Sequence, residues 1–320
     1  MSNTPNATYS TVGYNYSTNA TVPVQALVSS LTNLGTNIDL SLVPAGTGAV
    51  QLCIPDGTTT GGNKRGNYSV DLQGASQRSA ATQVASGANS FAAGNNNTAS
   101  ANTTIAMGYS NTSSGANSAT IGGHNTASGI YSFTVGYSNT ASASYSAVFG
   151  NSSVASGTSS TAIGAFCTTN SINGQVAIGF YSPTIGKFQN TITQLYAITT
   201  STTAKVATSD GNSGATTNQL VLRSNAATRV RLFAVARDAT NNTDAKEWTS
   251  DILLTKGSTA ASIAIVGSPT VTSTFATSGA SGWSLAVSTD TTNGGLAVTV
   301  TSSTTDTVDW NVILNAVEVM

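Results

Sequence analysis

The sequence predicts an all-β chain in two parts, a stack of short β coils followed by a β-sandwich. Three observations carry this. Gly94, Gly108, Gly122, Gly136, Gly150 and Gly164 recur at an unbroken spacing of fourteen residues, and Gly179 follows one residue late. Each closes a short alternating run, such as Thr104-Ile105-Ala106-Met107-Gly108 or Ser132-Phe133-Thr134-Val135-Gly136. Beyond Asn218 the glycine register is gone, and strand-like runs separated by Asn, Asp, Gly and Thr clusters replace it.

A fixed period in sequence implies a fixed period in space. Fourteen residues suit one coil of two short strands and two tight turns. The alternation argues strand, because successive side chains point to opposite faces. The smaller strand of each coil is Ala99-Ser100-Ala101, Ala127-Ser128-Gly129, Ala141-Ser142-Ala143 or Ala155-Ser156-Gly157. Asn97, Asn111, Asn125 and Asn139 mark the turn between the two strands, and glycine and asparagine are expected to supply the positive φ that the corners need. Met107, Ile121, Val135, Phe149, Ile163 and Ile178 form one column, expected to be buried; Thr104, Ser118, Ser132, Ser146 and Ser160 form a small polar one. Apolar residues at both parities of so thin a coil imply surface buried outside it, against other chains.

The run Gln175-Val176-Ala177-Ile178-Gly179 together with Ala141-Ser142-Ala143 resembles the head repeats of trimeric autotransporter adhesins, the YadA-like signature S-V-A-I-G followed by A-x-A-x-G. The resemblance covers roughly a third of the chain and implies a trimeric left-handed β-roll. Ahead of it, Gly61-Gly62-Asn63-Lys64-Arg65-Gly66, Val70-Asp71-Leu72-Gln73 and Arg78, leading into Ala81-Thr82-Gln83-Val84-Ala85-Ser86-Gly87, resemble the lead-in found in phage tail-fibre-like proteins. Lys64, Arg65, Asp71 and Arg78 are expected to form salt bridges or caps at the base of the roll, with an anion or ligand site as the alternative.

Composition excludes several functions. Charged residues are 7% and the net charge is -1, so no basic surface for nucleic acid is present. From Ser79 to Gly186 there is no Lys, Arg, Asp or Glu. Cys53 and Cys167 fall in different segments and make no disulfide framework. Cys167 takes the place of the turn asparagine in its repeat. No apolar run reaches membrane-spanning length, and Met1–Ala20 has no apolar leader core.

In chain order, residues 1–82 are assigned to a virion-attachment segment, with Val22–Val28 as an edge strand or short helix and strands at Asn37–Val43 and Ala49–Ile54. Residues 83–182 are the roll. Residues 183–217 are a neck, in which Thr191–Thr199 and Thr202–Ser209 form a hairpin-like pair. Residues 218–320 are a sandwich knob with strands at Gln219–Leu222, Thr228–Ala236, Glu247–Thr255, Ala261–Val266, Trp283–Val287, Leu296–Thr301 and Val308–Val319. Its last strand, from Trp310 to Val319, resembles that of the compact knobs that follow such rolls in phage fibres.

Chemistry is sparse. His124, the one histidine, is placed in the slot of Tyr109 and Tyr137 and read as a surface residue. The roll supplies no acid for a hydrolytic triad and no carboxylate pair for glycan cleavage. The sequence therefore predicts no catalytic residue, cofactor or metal site and no enzymatic activity. The Thr98, Thr112, Thr126, Thr140 column is single and broken by Val154, unlike paired ice-binding arrays. Recognition is expected on knob loops held by a rigid scaffold, with Asp238, Asn241, Asn242, Asp244, Asp290 and Asn293 as contact candidates. The resulting expectation is a homotrimeric bacteriophage tail fibre, assembled in the host cytoplasm. Its partners are further copies of the chain, other virion proteins through the N-terminal segment, and a host-surface glycan or protein. A head fibre or decoration protein and a bacterial adhesin fragment are the alternatives.

Overall fold

The computed structural model describes residues 46–320 apart from 75, 76 and 183–185. The edge strand or short helix expected at Val22–Val28, the strand expected at Asn37–Val43 and most of the attachment segment lie outside the described residues. The described residues contain no α-helix; Ala260–Ser262 form one 3-10 turn.

Strand β1 (Val50–Gln51), β2 (Val70–Leu72) and β3 (Phe91–Asn95) pair in parallel. Short and long strands then alternate: β4 (Thr98–Ala99), β5 (Ile105–Tyr109), β6 (Thr112–Ser113), β7 (Ala119–Gly123), β8 (Thr126–Ala127), β9 (Phe133–Tyr137), β10 (Thr140–Ala141), β11 (Ala147–Asn151), β12 (Val154–Ala155), β13 (Thr161–Ala165) and the longer β14 (Val176–Ser182). Long strands pair with long and short with short, in parallel and without slippage; Met107 sits beside Ile121, Ile121 beside Val135, Val135 beside Phe149. The fourteen-residue period is thus one coil of a β-solenoid. The long-strand ladder already includes β1 and β2, ahead of residue 83.

The coil interior is narrow, and this fixes which side chains enter it. Ala92, Ala106, Thr120, Thr134, Val148, Ala162 and Ala177 point in from the long strands, and Ala99, Ser113, Ala127, Ala141 and Ala155 from the short ones. The polar column Thr104, Ser118, Ser132, Ser146 and Ser160 is buried as well. The expected burial of the Met107 column inside the coil is therefore corrected. Met107, Ile121, Phe149, Ile163 and Ile178 are exposed, and Val135 is half-buried. An isoleucine does not fit where the facing wall is alanine, so the large residues take the outward parity and the small ones the inward parity.

Glycine is required where the long strand ends. From Gly94 to Gly164 the six repeat glycines adopt φ between 104° and 148°. A Cβ at Gly136 would run into the backbone carbonyl of Gly150. The asparagines do a different job from the one expected. The left-handed corner residues are Asn96, Ser110, His124, Ser138, Ser152 and Phe166, each one position earlier. Asn97, Asn111, Asn125 and Asn139 are fully buried and form a ladder. The Asn125 amide donates to Ile121 O at 3.0 Å and to Gly136 O of the next coil at 2.8 Å, while its Oδ1 accepts the Asn139 N–H at 3.0 Å. Buried polar groups must be paired, and this arrangement pairs them coil after coil. Ser153 and Cys167 continue the ladder with shorter side chains, as the substitution of cysteine for asparagine implied.

The roll sheet runs on into the C-terminal part. β15 (Gly186–Thr199), inside the expected neck, pairs antiparallel with β14 on one side and with the last strand, β23 (Val308–Val319), on the other. It meets the segment after it through an antiparallel bridge, Tyr196 to Thr208, and through Lys205 Nζ, which donates to Ile198 O at 2.8 Å. Between these come β16 (Lys205–Val206), β17 (Leu220–Val221), β18 (Ala226–Asp238), β19 (Ala245–Lys256), β20 (Ala264–Val266), β21 (Ser284–Asp290) and β22 (Gly295–Thr301). β15, β23, β18, β19 and β20 extend the roll sheet in that order, and β16, β17 and β21 all pair with β22 in a second sheet. Their inner faces meet over one core that includes Leu232, Ile252, Leu254, Leu296, Val298, Val312 and Leu314. All three tryptophans are in it: Trp248 and Trp283 lie 5.2 and 5.9 Å from Trp310, centroid to centroid.

Candidate interaction surfaces

Four regions carry the residue types that recognition uses. The first is the outer face of the long strands. Two apolar columns stand there at the same parity, Ile105-Ala119-Phe133-Ala147 and Met107-Ile121-Val135-Phe149-Ile163-Ile178. Along the sandwich the face continues with exposed Ile192, Tyr196, Ile313, Val317 and Val319, and with Phe233 and Val235. No charge interrupts the roll part of this surface. Contiguous exposed apolar surface of this kind makes the face a candidate interaction surface.

The second region is the roll corner around His124. The strand register sets Gly123, not His124, beside Tyr109 and Tyr137, which corrects the expected slot. Because Gly123 has no side chain, the exposed His124 ring fits between the two tyrosines, edge-on at 5.0 and 5.2 Å. At the other corner of the coil, between the short strand and the next long one, Tyr131 and Tyr145 stack at 5.2 Å, nearly parallel.

The third region is the base of the roll. Asp71 Oδ2 accepts from Arg65 Nε at 2.7 Å and from Arg78 Nη2 at 3.3 Å, all three side chains being almost fully buried. Arg78 also donates to the carbonyls of Gln73, Gln83, Thr60 and Gly74. Gln73 then starts the asparagine ladder, its Oε1 accepting the Asn97 N–H at 2.7 Å. The geometry is that of a structural ion pair and cap; Lys64 is exposed and apart from it.

The fourth region holds the knob loops. Asp238 closes the β18–β19 hairpin: it is buried, and its Oδ1 accepts the N–H groups of Thr240 and Asn241 at 2.7 and 3.2 Å. Burial pushes its carboxyl pKa up, but these bonds outweigh burial and hold it below the ordinary value. Asn241 and Asn242 are exposed. Asp244 is tied to Thr277 Oγ1 at 2.6 Å and Gly279 N at 3.1 Å. Asp290 closes the β21–β22 hairpin in the same way, bonded to Thr292 and Asn293 and to Gln219 Nε2 at 2.6 Å. Burial and these donors again oppose each other, and the donors prevail. The two loops are not brought together. Asp238 lies level with Val308 and Thr199, at the end away from the roll. Asp290 pairs with Gly295, which follows Gly294 beside Lys256, at the end next to the roll.

Sequence reasoning missed a cleft at that near end. It has a volume of about 520 Å3 and is lined by Ser156, Thr168, Asn170 and Ser171 of the roll and by Thr216, Thr217, Val221, Leu222, Arg223, Ser224 and Lys256 of the sandwich. No motif announces it, because its walls are common polar residues that only the fold assembles. Among the described residues no group of three His, Cys, Asp or Glu could hold a metal ion.

Comparison with known proteins adds little to the fold. No family model matches the chain, and neither does any curated protein. One solved structure that matches is tailspike protein gp49 from Acinetobacter baumannii bacteriophage Fri1, described as a capsular polysaccharide depolymerase. Identity is 9%, the TM-score is 0.23, and the match covers 83% of this chain and 52% of that one, so this chain spans about half the length of its neighbour. The matched structure is a tailspike and not an adhesin head. The expectation of a chain without enzymatic activity is corrected on this comparison: the matched protein is described as an enzyme, and the exclusion is withdrawn. At that TM-score the likeness carries no activity over to this chain. What the fold establishes, among the described residues, is an all-β chain with a β-solenoid of fourteen-residue coils.

Proposed function

We propose that the protein is a homotrimeric fibre of a bacteriophage virion that attaches the particle to the host surface, with the roll as shaft and the sandwich as knob. The observation that carries this reading is the outward apolar face. On a soluble single chain, columns of isoleucine, methionine and phenylalanine with no charge among them would stay in water at a cost of roughly 25 cal/mol per Å2. A second and third copy presenting the same face would bury it, and closed symmetry would leave none of it over. The charge-free polar corners suit a fibre outside the cell, and avidity from three knobs would let weak single contacts hold.

Sedimentation equilibrium of the full chain at micromolar concentration tests the assembly: a trimer is expected, and a monomer would overturn the reading. Cryo-electron microscopy of intact particles tests the location. Density for the roll projecting from the tail is expected. Density on the capsid would make the protein a head fibre or decoration, and its absence from particles would remove the virion role.

A further inference from the structure

We propose that the cleft between the last roll coils and the sandwich binds an acidic saccharide, with Lys256 holding the sugar carboxylate and the surrounding hydroxyl and amide groups its ring hydroxyls. This rests on the attachment reading above and gives its contact a place and a chemistry.

Ser156, Thr168, Asn170 and Ser171 are half-buried, while Thr216 and Thr217 are exposed across from them. Such groups offer donors and acceptors at short range without fixed charge, which suits a ligand built of hydroxyls. Ordinary ligand sites occupy volumes of about 300–1,000 Å3, and this cleft, at about 520 Å3, falls within that range. No acidic residue lines it.

Two cations reach it, and they differ. Arg223 is already engaged: its Nε lies 2.8 Å from Glu318 Oε1, and its Nη2 donates to Gln189 Oε1. Lys256 has no carboxylate partner among the described residues. Its Nζ gives one N–H to Leu222 O at 2.6 Å, which fixes the head group at the cleft wall. An ammonium carries three N–H groups, so two remain for a ligand. A carboxylate there would form charge-assisted bonds, the strong class.

The cleft also lies where assembly leaves it open. Its roll wall belongs to the short-strand side, since Thr168 bridges to Val154 of β12. The apolar columns stand on the long strands, so copies packed along them do not cover this wall.

The test is calorimetric titration of the full chain with a galacturonic acid pentamer and, as the neutral arm, with maltopentaose. The acidic pentamer should bind and weaken as salt screens the contact, and maltopentaose should bind at least about tenfold less tightly. Lys256→Gln should lower acidic-pentamer affinity about tenfold and bring the two sugars to parity. Thr217→Trp, a change at an exposed position that fills the cleft, should abolish binding while the melting curve stays in place. Equal binding of both sugars to the wild type, no binding of either, or binding unaffected by Thr217→Trp would overturn the proposal. Sedimentation equilibrium on the same sample keeps the two readings apart. A monomer that binds the acidic pentamer would end the fibre reading and keep the site; a trimer that binds neither sugar would do the reverse.

Discussion

The roll and the sandwich share one continuous sheet, yet they are held together by different means. In the sandwich, three tryptophans and a set of leucines and valines fill the space between two sheets. There the large residues are inside, and burial supplies the driving force. In the roll the inward side chains are mostly alanine, serine and threonine, and its two apolar clusters are small, Ala85-Ala92-Ala99-Ala106 and Ala141-Val148-Ala155-Ala162-Cys167-Ala177. Between them Ser113 stands where other coils have alanine and bonds to Ser118 at 2.7 Å. The roll relies on backbone ladders, an asparagine spine and glycine corners, and it leaves its large residues outside. A thin solenoid cannot satisfy its own isoleucines, whereas a sandwich can. This is why one region leaves its large apolar residues in the open and the other folds around its own core.

That contrast can be broken at either end, and the tryptophans report which end broke, because all three lie in the sandwich. The largest effect is expected from Gly136→Val. The new Cβ would meet the Gly150 carbonyl at a φ of 118°. Strain and clash together exceed about 4 kcal/mol, in the range of exceptional substitutions. Far-ultraviolet circular dichroism should lose the roll signal while tryptophan emission stays native. Next, Trp310→Ala should cost about 3–5 kcal/mol, as large aromatic truncations in cores do. It would also leave Thr199 Oγ1 without its 2.9 Å donor. Tryptophan emission should then shift red at a lower temperature. Smaller still is Asn125→Leu, which leaves the carbonyls of Ile121 and Gly136 and the Asn139 N–H without their partner. A loss of about 2–3 kcal/mol in roll stability is expected, read by thermal melting, with tryptophan emission untouched.

The smallest effect is expected from acid, and beyond Ser79, past the Asp71 ion pair at the base of the roll, it should touch the sandwich and not the coils. The carboxyls of Asp238, Asp251 and Asp290 are all held below their ordinary value, the Arg231 hydrogen bond being the main cause at Asp251. A depressed carboxyl stabilises the fold above its unfolded pKa of about 3.9, and that contribution is lost as pH falls through the lower folded value. The roll has no acid from Ser79 to Gly186. Lowering the pH from 5 to 2 should therefore bring down the tryptophan transition while roll dichroism holds. A parallel fall of both signals would mean that the two regions melt as one.

Much of this was legible in the sequence, for reasons that differ between the regions. The glycine register read out the coil directly, because one backbone conformation recurs at one residue type. The sandwich strands were legible from alternation: Thr228–Ala236, Glu247–Thr255, Leu296–Thr301 and Val308–Val319 were expected, and β18, β19, β22 and β23 contain or match them. Parity in the roll was not legible. The rule that large apolar residues go inside presupposes an interior wide enough to hold them, and the coil width is not written in any one repeat. The asparagines were correctly singled out but given the wrong task, since a turn residue and a buried ladder residue share the same composition. Gly186–Thr199 was expected as part of a neck because nothing local says that its partners are β14 and, more than a hundred residues on, β23. The loop candidates follow from turns held by a rigid scaffold, yet Asp238 and Asp290 spend their acceptors on their own turns, while the junction cleft has walls too ordinary to signal themselves.

On the proposed reading, the outward column of the roll is an interface between copies. Val135→Asp tests it most directly, because Val135 lies mid-column, flanked by Ile121 and Phe149, and does not point into the coil. In a single chain the carboxylate would reach water at little cost; between copies it would be buried unpaired, at several kcal/mol. Sedimentation equilibrium of wild type and variant side by side should show a trimer and a dissociated, still folded chain. A variant that sediments like the wild type, with the same melting curve, would contradict the account and leave the column facing solvent.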